Sequence, residues 1–168
     1  SEHYLGILSK RKGMELTSEL SEADIVIVNT CGFIGDAKEE SIETILEVSE
    51  FKETGNLKKL IVAGCLAQKY SEEILKELPE VDAVIGTGDI DKIEKVVDEI
   101  LENKKVVETK NMTFLANANT ERVLTTASHT AYLKISEGCN RACTYCIIPQ
   151  MRGRLRSRSI EDIVEEAV

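Results

Sequence analysis

The chain has 168 residues, 42% of them hydrophobic and 30% charged, and a formal net charge of −9. That balance is typical of a soluble globular protein of one domain, or one domain and part of a second, and it excludes a uniformly basic nucleic-acid-binding surface. No run approaches the roughly 18 apolar residues of a membrane span, and the odd count of five cysteines speaks against a closed disulfide framework.

The opening SEHYLGILSKRK carries no signal-peptide pattern and reads as the middle of a helix from Glu2 to Lys12. Three continuous, β-branched apolar runs follow, DIVIVNTC (24–31), KLIVAGC (59–65) and VDAVIGTG (81–88). Such runs predict strands buried on both faces of a parallel sheet. Helical patterns separate them. Residues 36–52 place Ile42, Ile45, Leu46 and Phe51 on one face. Residues 71–78 start at Ser71 as N-cap and stop before Pro79. Residues 89–102 start at Asp89 and are expected to bury Ile90, Ile93, Val96, Val97, Ile100 and Leu101. Strand and helix alternating in this way predict an α/β fold, an open, doubly wound parallel sheet built from right-handed βαβ units.

The polar, Asn- and Thr-rich stretch 104–129 reads as a linker with one short strand at Val106–Glu108. A second unit, 130–168, opens with a strand at TAYLKISEGC (130–139), continues through a basic stretch, RGRLRSR, and ends in a helix from Ser159. The domain organisation expected is therefore 1–103, a linker at 104–129, and the truncated start of a second domain at 130–168. Both ends read as cut, so the chain is expected to be a fragment of a longer protein.

The chemistry lies in the cysteines. Cys31 and Cys65 close the first and second strong strands, and ligands gather at the carboxyl ends of strands in an open parallel sheet. Neighbouring strands would bring the two thiols into one crevice; otherwise they are small buried residues. Two thiols alone are too few for a closed zinc or iron–sulfur site. In GCNRACTYC, Cys139, Cys143 and Cys146 are separated by three and then two residues. This triplet leaves one position of a cubane 4Fe–4S cluster without a protein ligand. An open iron can bind a reactant. Zinc is the competing assignment, disfavoured because no second C-x₂-C pair and no His accompany the triplet.

The triplet, with Tyr145 just before its last cysteine, resembles the radical S-adenosylmethionine superfamily. The longer string EGCNRACTYCIIPQMRGRLRSRS is similar to its methylthiotransferase branch, as are NTCGFIGDAKEESIETI and VAGCLAQKYSEEILKELPEVDAVIGTGD upstream. TCGFI followed by AKEESI is most similar to the enzymes that modify small-subunit ribosomal protein S-twelve. The resemblance implies a flavodoxin-like N-terminal domain, lacking its first strand here, and the start of a partial (β/α) barrel. It implies two 4Fe–4S clusters. One is a radical cluster on Cys139, Cys143 and Cys146; Tyr145 is assigned to the same cofactor-binding set and, like Pro149, is expected to shape the cluster loop rather than react. The other is an auxiliary cluster on Cys31, Cys65 and a third cysteine preceding Ser1. One-electron cleavage of S-adenosylmethionine would give a 5′-deoxyadenosyl radical that abstracts hydrogen from an unactivated carbon, here the β-carbon of an aspartate. The expected partners are the ribosomal protein or the ribosome and an electron donor such as flavodoxin or ferredoxin, in the cytoplasm, with no membrane. The alternatives are a tRNA adenosine methylthiotransferase and, from another class, a non-catalytic iron–sulfur or zinc module. With most of the barrel and the substrate-gripping domain outside this chain, the fragment is expected to be inactive alone.

Arg152, Arg154, Arg156 and Arg158 read as a solvated loop paired with nearby acids such as Glu161 and Asp162, the alternative being a contact for phosphate, RNA or the cofactor carboxylate. His3 and His129 are expected to be exposed and inert. Asp36, Lys38, Glu39 and Glu40 are expected to form the solvated first turns of a helix, the alternative being that they face the substrate.

Overall fold

A computed structural model describes all residues from Ser1 to Val168. Helix α1 (Glu2–Ser9) leads through a 3₁₀ turn to β1 (Ile25–Thr30), followed by α2 (Gly35–Ser49) and the short α3 (Phe51–Thr54). Next come β2 (Lys59–Gly64), α4 (Cys65–Lys69), α5 (Ser71–Glu77), β3 (Ala83–Ile85), α6 (Ile93–Leu101) and β4 (Val106–Glu108). The four strands form one parallel sheet in the order β1-β2-β3-β4. The strand expected within the linker is thus the fourth strand of the sheet.

Alternation along β2 shows why both faces must be covered. Ile61 and Ala63 point to one side, where Tyr4 and Leu8 of α1 and Ile93, Val96, Val97 and Ile100 of α6 close over them. Leu60 and Val62 point to the other, against Ile45, Val48, Leu66 and Ile74 of α2, α4 and α5. The sheet is therefore wound on both faces, as the continuous apolar runs require. The uniform right-handedness expected of its βαβ units does not hold. The β1-to-β2 and β2-to-β3 crossovers step the same way across the sheet with their helices on one face. The β3-to-β4 crossover continues that way with α6 on the opposite face, and so has the opposite hand. The apolar stripe of α6 packs beside α1, but Leu101, expected in that stripe, falls outside it and is exposed; Asn103, at φ 62°, turns the chain into the three-residue edge strand β4.

Some local expectations shift. In α2 the buried stripe is Ser41, Ile45 and Val48, while Ile42 and Leu46 are exposed; the break after Ser49 puts Phe51 in a separate helix, half-buried. Ser71 is the first helical residue of α5 and makes no cap, the N-cap position being Tyr70. His3 is half-buried, its Nδ1 3.0 Å from the Glu121 carbonyl oxygen, so it is not inert solvent-exposed surface.

From 130 onward the strand expected over 130–139 reduces to β5 (Ser136–Glu137), which pairs antiparallel with β6 (Arg156–Ser157). Two residues on each side make only a ribbon, because no further strand lies beside them to extend the ladder. Between them runs the short α7 (Ile148–Arg152), and the chain ends in α8 (Ile160–Ala167). Ser159 caps α8 by accepting a hydrogen bond from the Asp162 N–H at 3.2 Å. This unit is tied back to α1 by Arg122, which donates to Glu2 at 2.7 Å and to Glu166 at 2.8 Å.

Candidate iron–sulfur site

The β1–β2 register places Thr30 beside Gly64, so Cys31 and Cys65 leave adjacent strands at the carboxyl edge. Two glycines allow this closeness. A Cβ on Gly32 would lie 2.9 Å from the Cys65 carbonyl carbon and the Leu66 nitrogen. Gly64 has φ 101°, and a Cβ there would stand 2.5 Å from the Thr30 carbonyl oxygen. The Thr30 hydroxyl, buried, donates to the Ala63 carbonyl at 2.6 Å and pins the two strand ends together.

The two thiols differ in setting. Cys65 is 3% exposed and opens α4, whereas Cys31 is half-buried. The Cys31 N–H donates to the Ser41 hydroxyl at 3.1 Å, and that hydroxyl donates to the Ala37 carbonyl at 2.7 Å. Cys31, Ser41 and Glu40 line a cleft of about 190 Å³ along the outer edge of β1. Of Asp36, Lys38, Glu39 and Glu40, it is Glu40, in the second turn of α2, that shares a cleft with a cysteine.

The second cysteine set lies on a loop whose base is built and whose tip is open. The Cys139 N–H donates to the Gly153 carbonyl at 3.1 Å, and Leu155 N–H donates to the Asn140 side-chain oxygen at 3.0 Å. Gly138 has φ 81°, with the Arg154 carbonyl oxygen where a Cβ would stand, so the two flanks of the loop are closed on each other. At the tip, Cys146 N–H donates to the Cys143 carbonyl at 3.1 Å; Cys143 is exposed and Tyr145 is 91% exposed. All five cysteines are free, and no three His, Cys, Asp or Glu side chains converge in a geometry that holds a metal. The donor chemistry suits iron–sulfur ligation, because every ligand offered is a sulfur and the loop tip is accessible. Convergence of the tip would then accompany metal binding, as coordination and local folding are coupled.

The basic stretch pairs with nearby acids, Asp162 among them, as expected, but only Arg154 of its four arginines is exposed. The Arg158 side chain is 2% exposed; it donates to Asp162 at 2.5 Å, to Glu166, and to the Lys134 carbonyl at 3.0 Å. Arg156 donates to the Arg152 and Arg154 carbonyls. Arg152 reaches the furthest. Its Nη1 donates to Glu137 at 2.8 Å, its Nη2 to the Cys65 sulfur at 3.1 Å, and its guanidinium lies 5.6 Å from the Phe33 ring centre. Burial alone would raise the Glu137 carboxyl, but bonds from Arg152 and Lys134 hold it below the usual carboxylate range. Met151, 2% exposed, is seated where α7 meets α4, and its carbonyl accepts from the Thr87 hydroxyl at 2.8 Å. The loop base is thus anchored beside the Cys65 strand end. Ser41, Glu137 and Thr87 were not singled out by sequence reasoning. Ser41 had a signal, as a hydroxyl in an apolar helical stripe; the other two had none without the fold.

Comparison with known proteins agrees with this arrangement. The radical SAM superfamily model matches residues 133–168. A uS12 ribosomal protein methylthiotransferase, RimO, from Clostridioides difficile is 52% identical over 167 residues, covering 99% of this chain and 37% of that protein. RimO proteins from Lachnoclostridium phytofermentans and a Thermoanaerobacter strain are 54% and 53% identical, each again matched over 99% of this chain and 38% of their own length. The chain therefore spans well under half the length of these relatives. The model of the uncharacterized protein family UPF0004 matches residues 1–86, the part of the sheet that carries Cys31 and Cys65, and the chain belongs to that family.

Proposed function

We propose that this chain is the N-terminal part of a radical S-adenosylmethionine methylthiotransferase, replacing a carbon-bound hydrogen with a methylthio group. The observation that supports it is the anchoring of the Cys139–Cys146 loop beside the strand ends that carry Cys31 and Cys65. Cys139, Cys143 and Cys146 would hold one 4Fe–4S cluster with an open iron for S-adenosylmethionine, and Tyr145 would lie against the cofactor. Cys31 and Cys65 would hold part of an auxiliary cluster, its third ligand coming from outside these residues. When bound, these groups supply one-electron cleavage of S-adenosylmethionine and a sulfur for insertion. The chain's own residues set the stage. Gly32 and Gly64 let the two strand-end loops approach, Ser41 orients the Cys31 backbone, and Glu137 and Arg152 fix the base of the second loop.

The relatives are named for uS12, and we propose an aspartate β-carbon of that ribosomal protein as the target. The ribosome or the free protein as partner, a flavodoxin or ferredoxin as electron source and a cytoplasmic location belong to the same proposal. We propose the same functional division, 1–103, 104–129 and 130–168, with the edge strand β4 lying inside the connecting stretch. Because the chain covers 37–38% of these relatives, we propose that it is inactive alone. No helix is long and apolar enough to cross a membrane. The test is anaerobic reconstitution of the full-length protein. Iron and sulfide equivalent to two cubane clusters, and a methylthio mass increase on uS12 with S-adenosylmethionine and a reductant, are expected. Zinc alone, or modification of tRNA adenosine instead of uS12, would overturn the reading at the level of chemistry or of substrate respectively. Modification by the 168-residue chain itself would overturn the proposed inactivity.

A further inference from the structure

The two cysteine sets are joined by one side chain. Glu137 lies two residues before Cys139, and Arg152 six residues after Cys146, so their ion pair closes the base of the loop. From that base the guanidinium extends to the Cys65 sulfur at 3.1 Å and over the face of Phe33, two residues after Cys31. Arg152 and Glu137 are both largely removed from solvent, at 28% and 8% side-chain exposure, so the contact is not a chance meeting of surface charges. A charge-assisted donor on a thiolate withdraws electron density from it. Sulfur ligands that accept such bonds raise the reduction potential of the cluster they hold, because the bond strengthens as the cluster gains negative charge.

We propose that Arg152 is a positioning residue that tunes the auxiliary site: held by Glu137, its guanidinium raises the reduction potential of the iron–sulfur group ligated by Cys65 and sets that group's spacing from the Cys139–Cys146 loop. This rests on the iron–sulfur assignment proposed above. It assigns one arginine of the basic stretch to the chain's own sulfur site and not to RNA or phosphate. Lysine can keep the charge but not both bonds at once, since it lacks the planar fork that spans Glu137 and the sulfur.

The experiment uses the full-length protein carrying Cys139→Ala, Cys143→Ala and Cys146→Ala, so that the auxiliary cluster alone remains. Its midpoint potential is measured by EPR-monitored redox titration, with iron and sulfide content determined for each preparation. Arg152→Gln should shift the potential to more negative values at unchanged cluster content, Arg152→Lys should recover part of the shift, and Glu137→Gln should give a smaller shift of the same sign. Identical potentials in Arg152→Gln and its parent would overturn the proposal while leaving the iron–sulfur assignment intact. Absence of a cluster in the parent would overturn the assignment, and this proposal with it. If Arg152→Gln loses its cluster, the Lys and Glu137→Gln variants decide: a potential unmoved in both overturns the tuning role.

Discussion

In the sheet, Leu60, Ile61, Val62 and Ala63 are fully buried, and an eleven-residue apolar cluster covers each face. Between 130 and 168 the buried residues are Met151, Glu137 and Arg158, two of the three charged. One region is held by non-directional apolar burial. The other is held by arginines: Arg152 and Arg158 pair with carboxylates, while Arg156 donates only to backbone carbonyls and leaves its buried Nε without a partner. Burial tolerates small shifts, whereas a buried ion pair fails when one partner is removed. The division suits the chemistry proposed: a stiff edge presents Cys31 and Cys65, and a loop whose base is fixed by charge leaves its cysteine tip free to close on a ligand.

The largest expected effect breaks the stiff side. Ile61→Ala opens a hole in a fully buried strand and should cost about 2–5 kcal/mol, read as a lower urea midpoint. Next, Arg158→Met should strand Asp162 without its cation and leave Glu166 paired with Arg122 alone. Because both acids keep contact with water and Glu166 keeps Arg122, the loss should be clearly smaller than that of Ile61→Ala, read on the same urea midpoint. Hydrogen exchange should place that loss in α8 and the β5–β6 ribbon, with the sheet protected. Equal loss in both regions would show that they unfold as one unit and dissolve the contrast.

Much of this division can be read from the residues. The continuous runs at 24–31, 59–65 and 81–88 can only be strands covered on both sides, and they place Cys31 and Cys65 at strand ends. Their adjacency depends on the strand order, which no local pattern encodes. The 130–139 run misleads for a physical reason: its alternation is that of a strand, but pairing needs a neighbour, and only Arg156 and Ser157 are placed to supply one. The alternating arginines look like a cationic face because their partners, Glu137 and Glu166, are brought to them by the fold. The reversed hand of the β3-to-β4 crossover follows from the packing of α6 on α1, a tertiary preference that periodicity does not carry.

A smaller effect sharpens the contrast at the strand ends. Gly64→Ala places a Cβ against the Thr30 carbonyl at a backbone angle that side chains avoid, and should cost more than about 1 kcal/mol. It should also lower the iron retained at Cys31 and Cys65 in the full-length protein, since the two loops must part. Acid should act on both regions. Burial would raise Asp82, but bonds from the Lys52 ammonium and the Leu60 N–H hold it below its usual range, as Arg152 and Lys134 do for Glu137. A depressed folded value means these carboxylates stabilise fully above the ordinary unfolded value near pH 4, and that this contribution is lost as pH falls through the folded value. Denaturant midpoints compared at pH 7 and pH 3 should therefore fall less in Asp82→Asn than in the unaltered chain.

The smallest structural effect is expected at the loop tip, and it is the most informative about function. Tyr145 is 91% exposed, so it does not shape the loop by packing. Tyr145→Ala should leave stability within about 0.5 kcal/mol, as exposed substitutions do. If the ring lies against bound S-adenosylmethionine in the full-length enzyme, the same change should weaken cofactor binding, measured by equilibrium dialysis of the reconstituted protein, with the cluster content unchanged. A loss of binding without a loss of stability separates a contact made only with the ligand from one that builds the fold. Unaltered binding would remove Tyr145 from the cofactor site and leave that site to the three cysteines alone.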